Sequence, residues 1–236
     1  MSVPNVLAER YASPAMQAIW EPEAKISAER QLWIAVMRAQ AAAGLDIPTA
    51  TIADYEAVVG NVDLASIAER ERVTKHDVKA RIEEFNALAG HESIHLGMTS
   101  RDLTENVEQM QVLRSMELLR DKSVAALDRL AGLAVAYSET AMAGRSHNVA
   151  ARITTLGKRF ATIAQEMLIG LERLESLIER YPMRGIKGPV GTAQDMLDLL
   201  GGDTDKLAEL ERSVAEHLGF DAVLVSVGQV YPRSLD

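Results

Sequence analysis

The chain has 236 residues, 47% of them hydrophobic and 25% charged, which is enough for a sizeable core and argues against a disordered or fibrous protein. Its 34 acidic side chains outnumber the 25 basic ones, and a net charge of -9 is unsuited to binding nucleic acid through its phosphates. Because no cysteine is present, disulfides, thiolate metal sites and a cysteine nucleophile are excluded.

Neither a signal sequence nor a membrane span is predicted. The first residues lack a basic region followed by an apolar one, and no run approaches about 18 apolar residues. We therefore expect a soluble, cytoplasmic protein.

The spacing of the prolines indicates where long helices can run. No proline occurs between Pro48 and Pro182, and proline breaks the interior of a helix. A low aromatic content of 4% also favours helix over sheet. The predicted fold class is all-α.

The N-terminal part of the chain predicts shorter helices. Residues 28–43, 52–59 and 75–89 each have helical patterns separated by more broken sequence. We interpret residues 1–99 as a small N-terminal helical domain, with its boundary between Gly97 and Asp102. Residues 100–236 are then the start of a long-helix domain, which we expect to be incomplete because the chain stops at GQVYPRSLD without a terminal helix.

Two apolar stripes predict two long helices. One runs from Leu103 to about Tyr137, with Ser100 or Asp102 as its cap, and the other covers residues 156–178. The first would be roughly 50 Å long at about 1.5 Å per residue. Joined by the short segment 138–148, they would form an antiparallel pair. Its stripes exceed what each helix can cover in the other, so we expect oligomerisation.

Two short helices follow the long pair. Residues 192–200 predict one, with Thr192 as N-cap, and residues 204–218 predict another that ends at Gly219.

Five histidines are candidates for chemistry. His217 is explained by a position near a helix C-terminus, and the His91/His95 pair has no evident third ligand, so no metal site is predicted. His147 falls in the connection between the long helices, where catalytic groups often lie, although a surface histidine is the commoner outcome. His76 is followed by Asp77, which would point elsewhere on a helix.

Two loops precede helices. In residues 95–102, HLGMTSRD, the hydroxyls and the aspartate either cap the helix or bind an anion, and the motif favours neither interpretation. Residues 183–194, MRGIKGPVGTAQ, form a glycine-rich loop with Lys187, which is not a P-loop because the GK[ST] ending is missing.

Six segments together resemble the adenylosuccinate lyase family of the fumarase/aspartase superfamily. They follow the family's order and are spread over the whole chain. They are RYASPAMQAIW (Arg10 to Trp20), KHDVKA (Lys75 to Ala80), GMTSRDLTEN (Gly97 to Asn106), GRSHNVAA (Gly144 to Ala151), KGPVGT (Lys187 to Thr192) and GQVYPR (Gly228 to Arg233).

The resemblance implies a fold and a reaction. The fold is a small helical domain followed by long antiparallel helices, which in four subunits form a central bundle with each active site shared by three chains. The reaction is a β-elimination that cleaves adenylosuccinate to AMP and fumarate, and cleaves the analogous succinyl-carboxamide ribotide. It needs a base, an acid and fixed donors for the negative charge of the intermediate, with no cofactor or metal.

The same resemblance assigns roles to residues of this chain. His147 is the general acid and His76 supports it. Arg10 and Tyr11 would bind the nucleotide phosphate, beside Lys75, His76 and Asp77. Thr99 and Ser100 would hold a succinyl carboxylate, and Gln229 and Arg233 would contact the substrate. His95, one turn before Thr99, is either near the substrate or a packing residue.

The chain departs from the family pattern in two places. Ser146, His147 and Asn148 stand where the family commonly has threonine, histidine and glycine, which keeps a hydroxyl beside the histidine. The serine-containing SSxMPxKxN segment that supplies the base does not occur in the 236 residues. We therefore interpret the chain as the N-terminal portion of the enzyme and expect it to be inactive alone.

Two other functions remain open from the sequence. Another superfamily lyase, such as argininosuccinate lyase, would share the elimination and the helical core, although Arg10, Tyr11 and the KHDV segment favour a nucleotide. A non-catalytic helical oligomerisation module is all that the apolar stripes strictly require.

Overall fold

Helices make up most of the computed structural model, which describes residues 5–230. A two-stranded antiparallel hairpin is the one named sheet among those residues. The elements in chain order are α1 (Val6–Tyr11), α2 (Pro14–Trp20), α3 (Pro22–Ala42), α4 (Thr49–Ala57), α5 (Leu64–Thr74), α6 (Asp77–Ala89), α7 (Ser100–Ala136), β1 (Ala141–Ser146), β2 (Val149–Thr155), α8 (Leu156–Arg180), α9 (Gln194–Leu199) and α10 (Thr204–Leu218).

The described residues form two compact units. The first contains the residues up to Leu113 and those from Tyr181 onward, and the second contains Arg114–Arg180. Helix α7 begins in the first unit and continues into the second. The domain boundary between residues 99 and 100 stays a prediction.

The core of the first unit is built around α3. This helix begins at Pro22, where the fixed φ of proline suits the first helical position. Its Trp33 is fully buried and stacks on Phe85 of α6 with 6.1 Å between ring centroids. Phe85 also meets Tyr55 of α4 edge-on at 4.9 Å. These aromatic contacts join α3, α4 and α6 into one layer of packed helices.

A buried ion pair ties the same helices together. Arg30 of α3 contacts Glu84 of α6 at 2.5 Å, and both side chains are almost completely shielded from solvent. The guanidinium also donates to the carbonyls of Val58 and Val59, which directly follow α4. The charge is therefore compensated and hydrogen-bonded, as a buried arginine requires.

The second unit contains the rest of α7, the hairpin and α8. The sequence predicted only a short connection over residues 138–148. This prediction was wrong, because the chain forms a hairpin over residues 141–155. His147 and Asn148 make its two-residue turn, with φ of 50° and 63°. Positive φ at both positions is typical of a type I′ turn, and asparagine tolerates it well.

Glycine permits the close approach at the end of this hairpin. A Cβ on Gly157 would lie 2.3 Å from the carbonyl oxygen of Ala134. The start of α8 can therefore contact the last turns of α7 only because residue 157 has no side chain.

Helix ends agree with the sequence in part. Helix α10 covers residues 204–218 and ends at Gly219 in the left-handed conformation, as predicted. Helix α9 begins at Gln194, so Thr192 is not its N-cap, and Ala193 precedes the helix at φ 51°. Helix α7 already includes Ser100 and Asp102. The carboxylate of Asp102 reaches back to the N–H of Thr99, in the manner of the second half of a capping box.

The described helices reach a length of 37 residues in α7. None of them combines the length and the apolar character that crossing a bilayer requires.

Candidate active site

His76 lies at the junction of α5 and α6. Helix α5 ends at Thr74, its C-cap Lys75 has a left-handed backbone with φ of 54°, and His76 is then the N-cap of α6. Its Nδ1 accepts a hydrogen bond from the backbone N–H of Lys79 at 3.3 Å. An accepting Nδ1 assigns the ring proton of the neutral imidazole to Nε2.

The other ring nitrogen of His76 faces the start of α7. Nε2 lies 3.4 Å from the hydroxyl oxygen of Ser100, so the N–H can donate to that oxygen and leave the hydroxyl proton for another acceptor. Two motifs separated by 24 residues therefore meet at one contact.

This contact lies in a cavity of about 610 Å³ within the first unit. The cavity combines the cations Lys25 and Arg101 with an imidazole, hydroxyl groups and an amide, which suits a ligand that carries anionic groups. Its walls also include two carboxylates. The lining residues are Trp20, Lys25, His76, Asp77, Val78, Ser100, Arg101, Thr104, Glu108 and Gln111.

A buried ion pair holds the start of α7 in place. Asp102 and Arg184 are both fully buried and contact each other directly. The carboxylate of Asp102 also accepts from the N–H groups of Thr99, Lys187 and Gly188. Its charge is thus satisfied by one guanidinium and three amides. The first turn of α7, which carries Ser100, is therefore fixed to the glycine-rich loop.

Arg184 extends this network to the end of the described chain. Its Nη2 donates to the backbone carbonyl of Gln229 at 3.1 Å, and Glu105 lies 3.3 Å from its Nε. The sequence analysis did not single out Arg184. The signal that could have found it is an arginine directly before a glycine-rich loop, with acidic residues at 102 and 105 available as partners.

The glycine-rich loop is shaped by packing and an ion pair. A Cβ on Gly191, whose φ is 84°, would lie 1.9 Å from the carbonyl oxygen of Val227, so glycine is required there. Lys187 contacts Glu211 of α10 at 2.6 Å. Its ammonium is thus already paired with a carboxylate.

His95 packs against the aromatic core. The indole N–H of Trp33 donates to its Nδ1 at 3.0 Å, and the backbone of His95 has a φ of 68°. Burial, helped by the nearby His76, lowers the pKa of His95 to about 4, so its ring is neutral at pH 7. These contacts favour the packing interpretation of His95 over a place beside the substrate.

His91 and His95 do not form a helical pair. Both follow the end of α6, in the segment between Ala89 and Ser100, and the Nε2 of His91 contacts Asp54 at 2.7 Å. Within residues 5–230, no cluster of three metal-binding side chains was found.

The structure brings together some of the predicted site residues and not others. His76, Asp77 and Ser100 line the cavity, and Thr99 directly precedes Ser100. The remaining candidates lie outside its lining: Arg10 and Tyr11 are exposed at the end of α1, Lys75 is exposed before His76, the side chain of Gln229 is exposed, and His147 is exposed at the hairpin turn of the second unit. Arg233 lies outside the described residues.

Comparison with known proteins identifies the family. The Lyase_1 family model, whose description is "Lyase", matches residues 10–223. The chain belongs to this lyase family. It spans about half the length of the curated relatives it matches.

The curated relatives it matches include adenylosuccinate lyases from a yeast and an archaeon. The protein from Saccharomyces cerevisiae is 33% identical over 237 residues, which cover 98% of this chain and 49% of the relative. The protein from Methanocaldococcus jannaschii is 36% identical over 230 residues, which cover 95% of this chain and 48% of the relative. The resemblance inferred from the motifs is thereby confirmed.

Solved structures support the fold of this Lyase_1 chain. The 3-carboxy-cis,cis-muconate lactonizing enzyme from Pseudomonas putida superposes with a TM-score of 0.79 at 20% identity, covering 94% of this chain and 50% of that one. A fumarate lyase from Mesorhizobium sp. BNC1 gives a TM-score of 0.76 at 23% identity, covering 90% and 49%. At such identities the likeness shows the fold alone, and it confirms the predicted class.

Proposed function

We propose that the full-length protein cleaves adenylosuccinate to AMP and fumarate by β-elimination, and acts likewise on the succinyl-carboxamide ribotide of purine biosynthesis. The observation that carries this proposal is the meeting of His76, Asp77 and Ser100 in one cavity with Lys25 and Arg101. The similarity to adenylosuccinate lyases over almost the whole chain supports the choice of substrate.

The chemistry of the cavity suits a carboxylate of the substrate. Removing a proton from the carbon next to a carboxylate places extra negative charge on that group, which fixed donors must stabilise. Ser100 accepts from Nε2 of His76 and keeps its own proton for the substrate. The backbone N–H of Thr99 is already used by Asp102, so Thr99 would contribute its hydroxyl.

His147 is proposed as the general acid. As the bond between carbon and nitrogen breaks, its imidazole would give a proton to the departing nitrogen of the purine. A hairpin turn on two paired strands presents this side chain outward, where a substrate held by other chains can reach it. Arg10, Tyr11, Lys75, Gln229 and Arg233 are proposed to contact the substrate in the assembled enzyme.

We propose that the enzyme is a cytoplasmic homotetramer whose active sites combine residues of different subunits. Exposed apolar side chains along the second unit support an assembly. Leu119 and Val124 of α7 and Ile163 of α8 are 48%, 49% and 55% exposed, although all three lie on the helical stripes. Such stripes are normally covered by further helices.

The test is the substitution His147→Ala in the full-length protein. We expect kcat for adenylosuccinate to fall by about 10²-fold or more, which is the usual effect of losing a general acid. The matched control is His217→Ala at the end of α10, which should leave kcat unchanged. Both variants should remain folded because both side chains are exposed, with at most a small shift in thermal unfolding for His147→Ala, since alanine is strained at φ 50°.

The same assay separates the other functions. Turnover of argininosuccinate instead of adenylosuccinate would indicate the other lyase. A His147→Ala variant that changes stability without changing a turnover rate would indicate an oligomerisation module. The 236 residues contain no match to SSxMPxKxN. We therefore expect no turnover by this chain alone, and detectable activity of the pure chain would contradict the proposed source of the base.

A further inference from the structure

The carboxylate of Glu29 is buried in α3 without dedicated hydrogen-bond donors. The residue is fully shielded from solvent, and neither carboxylate oxygen accepts a hydrogen bond from the described residues. Burial raises the pKa of Glu29 to about 7, although Arg81 and Lys25 oppose the shift and Asp77 adds to it. A buried carboxylate with so few donors is costly and calls for a reason.

Arg81 of α6 connects Glu29 to the cavity. Its Nε lies 3.1 Å from Oε2 of Glu29, and its Nη2 lies 2.5 Å from Oδ2 of Asp77. Arg81 is itself only 8% exposed. One planar guanidinium therefore lies between a carboxylate in the core and a carboxylate in the cavity wall.

Asp77 is the neighbour of His76 on the side of Nδ1. Its Oδ1 is 3.5 Å from that nitrogen, close enough that a small rotation would let the carboxylate accept a proton from it. Partial burial favours a higher pKa for Asp77, but Arg81, the N–H of Val78 and His76 outweigh it and lower the pKa. Asp77 is thus an anion that Arg81 holds by its other oxygen.

The state of the imidazole depends on this restraint. As long as Nδ1 accepts from Lys79, the ring proton is on Nε2 and faces Ser100. If Asp77 turned to accept from Nδ1, the proton would move to Nδ1, and Nε2 would become an acceptor. The donor that polarises Ser100 would then be lost.

We propose that Glu29 and Arg81 are positioning residues for His76. Glu29 holds Arg81, Arg81 holds Asp77 away from the ring, and the imidazole keeps its proton on the nitrogen that faces Ser100. The consequence for turnover rests on the proposed function, whereas the effect on the ring does not.

The chain offers a matched control in the pair Arg30 and Glu84. Like Arg81, Glu84 lies in α6 and is buried, and it forms an ion pair with Arg30. Its contacts lead to Arg30 and to the N–H of Asp63, away from Asp77. A purely structural role of buried ion pairs would make Glu84→Gln and Arg81→Gln equivalent.

The experiment is nitrogen NMR of the full-length protein with ring-labelled histidine, with the His76 signal assigned through His76→Asn. We expect the parent protein to hold the neutral ring mainly as the Nε2–H tautomer. Arg81→Gln should raise the Nδ1–H fraction several-fold, and Glu84→Gln should leave it unchanged. An unchanged ring in Arg81→Gln, or an equal change in Glu84→Gln, would overturn the proposal.

Glu29→Gln provides a second arm if Arg81→Gln does not fold. The amide mimics protonated Glu29. The Nδ1–H fraction of His76 in this variant should therefore match that of the parent at pH 6 and differ from it at pH 8. The groups that act on Glu29 are Arg81 and Asp77 from α6 and Lys25 from its own helix. A variant that tracks the parent at both pH values would contradict the role of Glu29.

Steady-state kinetics separate this inference from the proposed function. In an active enzyme, Arg81→Gln should lower kcat severalfold with a smaller change in KM, since the ring stays in place and only its proton moves to Nδ1. If the parent protein has no lyase activity but its ring responds as described, the proposed function fails and the positioning role stands.

Discussion

Helix α7 passes from the first unit into the second, and its apolar stripe is buried in the first and only partly covered in the second. Val107 and Met110 in the first unit are 1% and 2% exposed, whereas Leu119 and Val124 further along the same stripe are about half exposed. Apolar residues recur mostly every three or four positions in both parts. The difference therefore lies in what surrounds the helix.

Buried ion pairs also distinguish the first unit. The buried ion pairs of Arg30 with Glu84 and of Arg184 with Asp102 both lie in the first unit, where they are packed among α3, α6 and the glycine-rich loop. A buried charge is tolerated only where the surrounding structure supplies its partners. The first unit thus carries a complete core, whereas the second presents an apolar surface that suits an assembly.

The strongest test of the first unit is Arg184→Met. Removing the cation leaves Asp102 buried with only backbone donors, and breaking a buried pair in this way costs about 3–5 kcal/mol. Chemical denaturation should show that loss in the free energy of unfolding.

The control for this prediction is Arg212→Met. Arg212 and Glu209 form an ion pair on the exposed face of α10, with side chains that are about two-thirds accessible. Such pairs contribute between about 0 and 1 kcal/mol. Equal losses in the two variants would mean that the Arg184 network does not hold the loops together.

The sequence predicted the parts of the molecule that follow from local periodicity. The bounds of the long helices and of α10 agree closely because apolar residues at every third or fourth position report a helix directly. His76 and Ser100 were found because each lies in a recognisable motif. The family resemblance then indicated a shared site.

Local patterns failed where the structure depends on distant residues or unusual backbone. Asp102 and Arg184 are 82 positions apart, so no window of sequence links them. The hairpin was missed because its turn is His147 and Asn148, without the Asn-Gly or Asp-Gly pair that usually marks such turns. His76 caps α6 although histidine is not among the preferred N-cap residues.

Titration of Glu29 provides the next largest effect. The pKa of Glu29 is about 7 in the folded protein and 4.5 ordinarily, so the folded state binds the proton more tightly. The stability that this proton provides is complete below pH 4.5 and is lost as the pH rises through 7. The loss is about 1.4 kcal/mol for each pH unit in this window, or about 3 kcal/mol in all.

Glu29→Gln isolates this contribution. Urea unfolding of the parent and the variant should be compared between pH 4.5 and 8, because the titration of all other groups then cancels in the difference. The stability of the parent relative to the variant should fall with rising pH through 7 and level off near pH 8. A constant difference would mean that Glu29 is ionised throughout.

The open stripe of the second unit is tested by Val124→Lys in the full-length protein. A lysine in a buried helix interface cannot keep its charge solvated, so we expect assembly to weaken at least about tenfold, or about 1.4 kcal/mol. Light scattering after gel filtration measures it. Val73→Lys on α5, where the valine is 81% exposed, should leave the assembly unchanged.

The smallest effects come from helix caps, one in each unit. Asp203 accepts from the N–H groups of Asp205 and Lys206 at the start of α10, and Thr155 accepts from the N–H of Lys158 at the start of α8. Replacing either cap by alanine removes about 1 kcal/mol of helix stability. Asp203→Ala should therefore lower the unfolding free energy of the first unit by that amount.

Thr155→Ala shows whether α8 is held only within its own unit or also by an assembly. If α8 is held only within its own unit, the variant should speed amide hydrogen exchange over the first turns of α8 and leave the main unfolding transition where it was. If an assembly holds α8, the loss of about 1 kcal/mol should move the main transition instead. Measuring both variants in the same buffer, with exchange and unfolding side by side, distinguishes a helix pair that stands alone from one that depends on its neighbours.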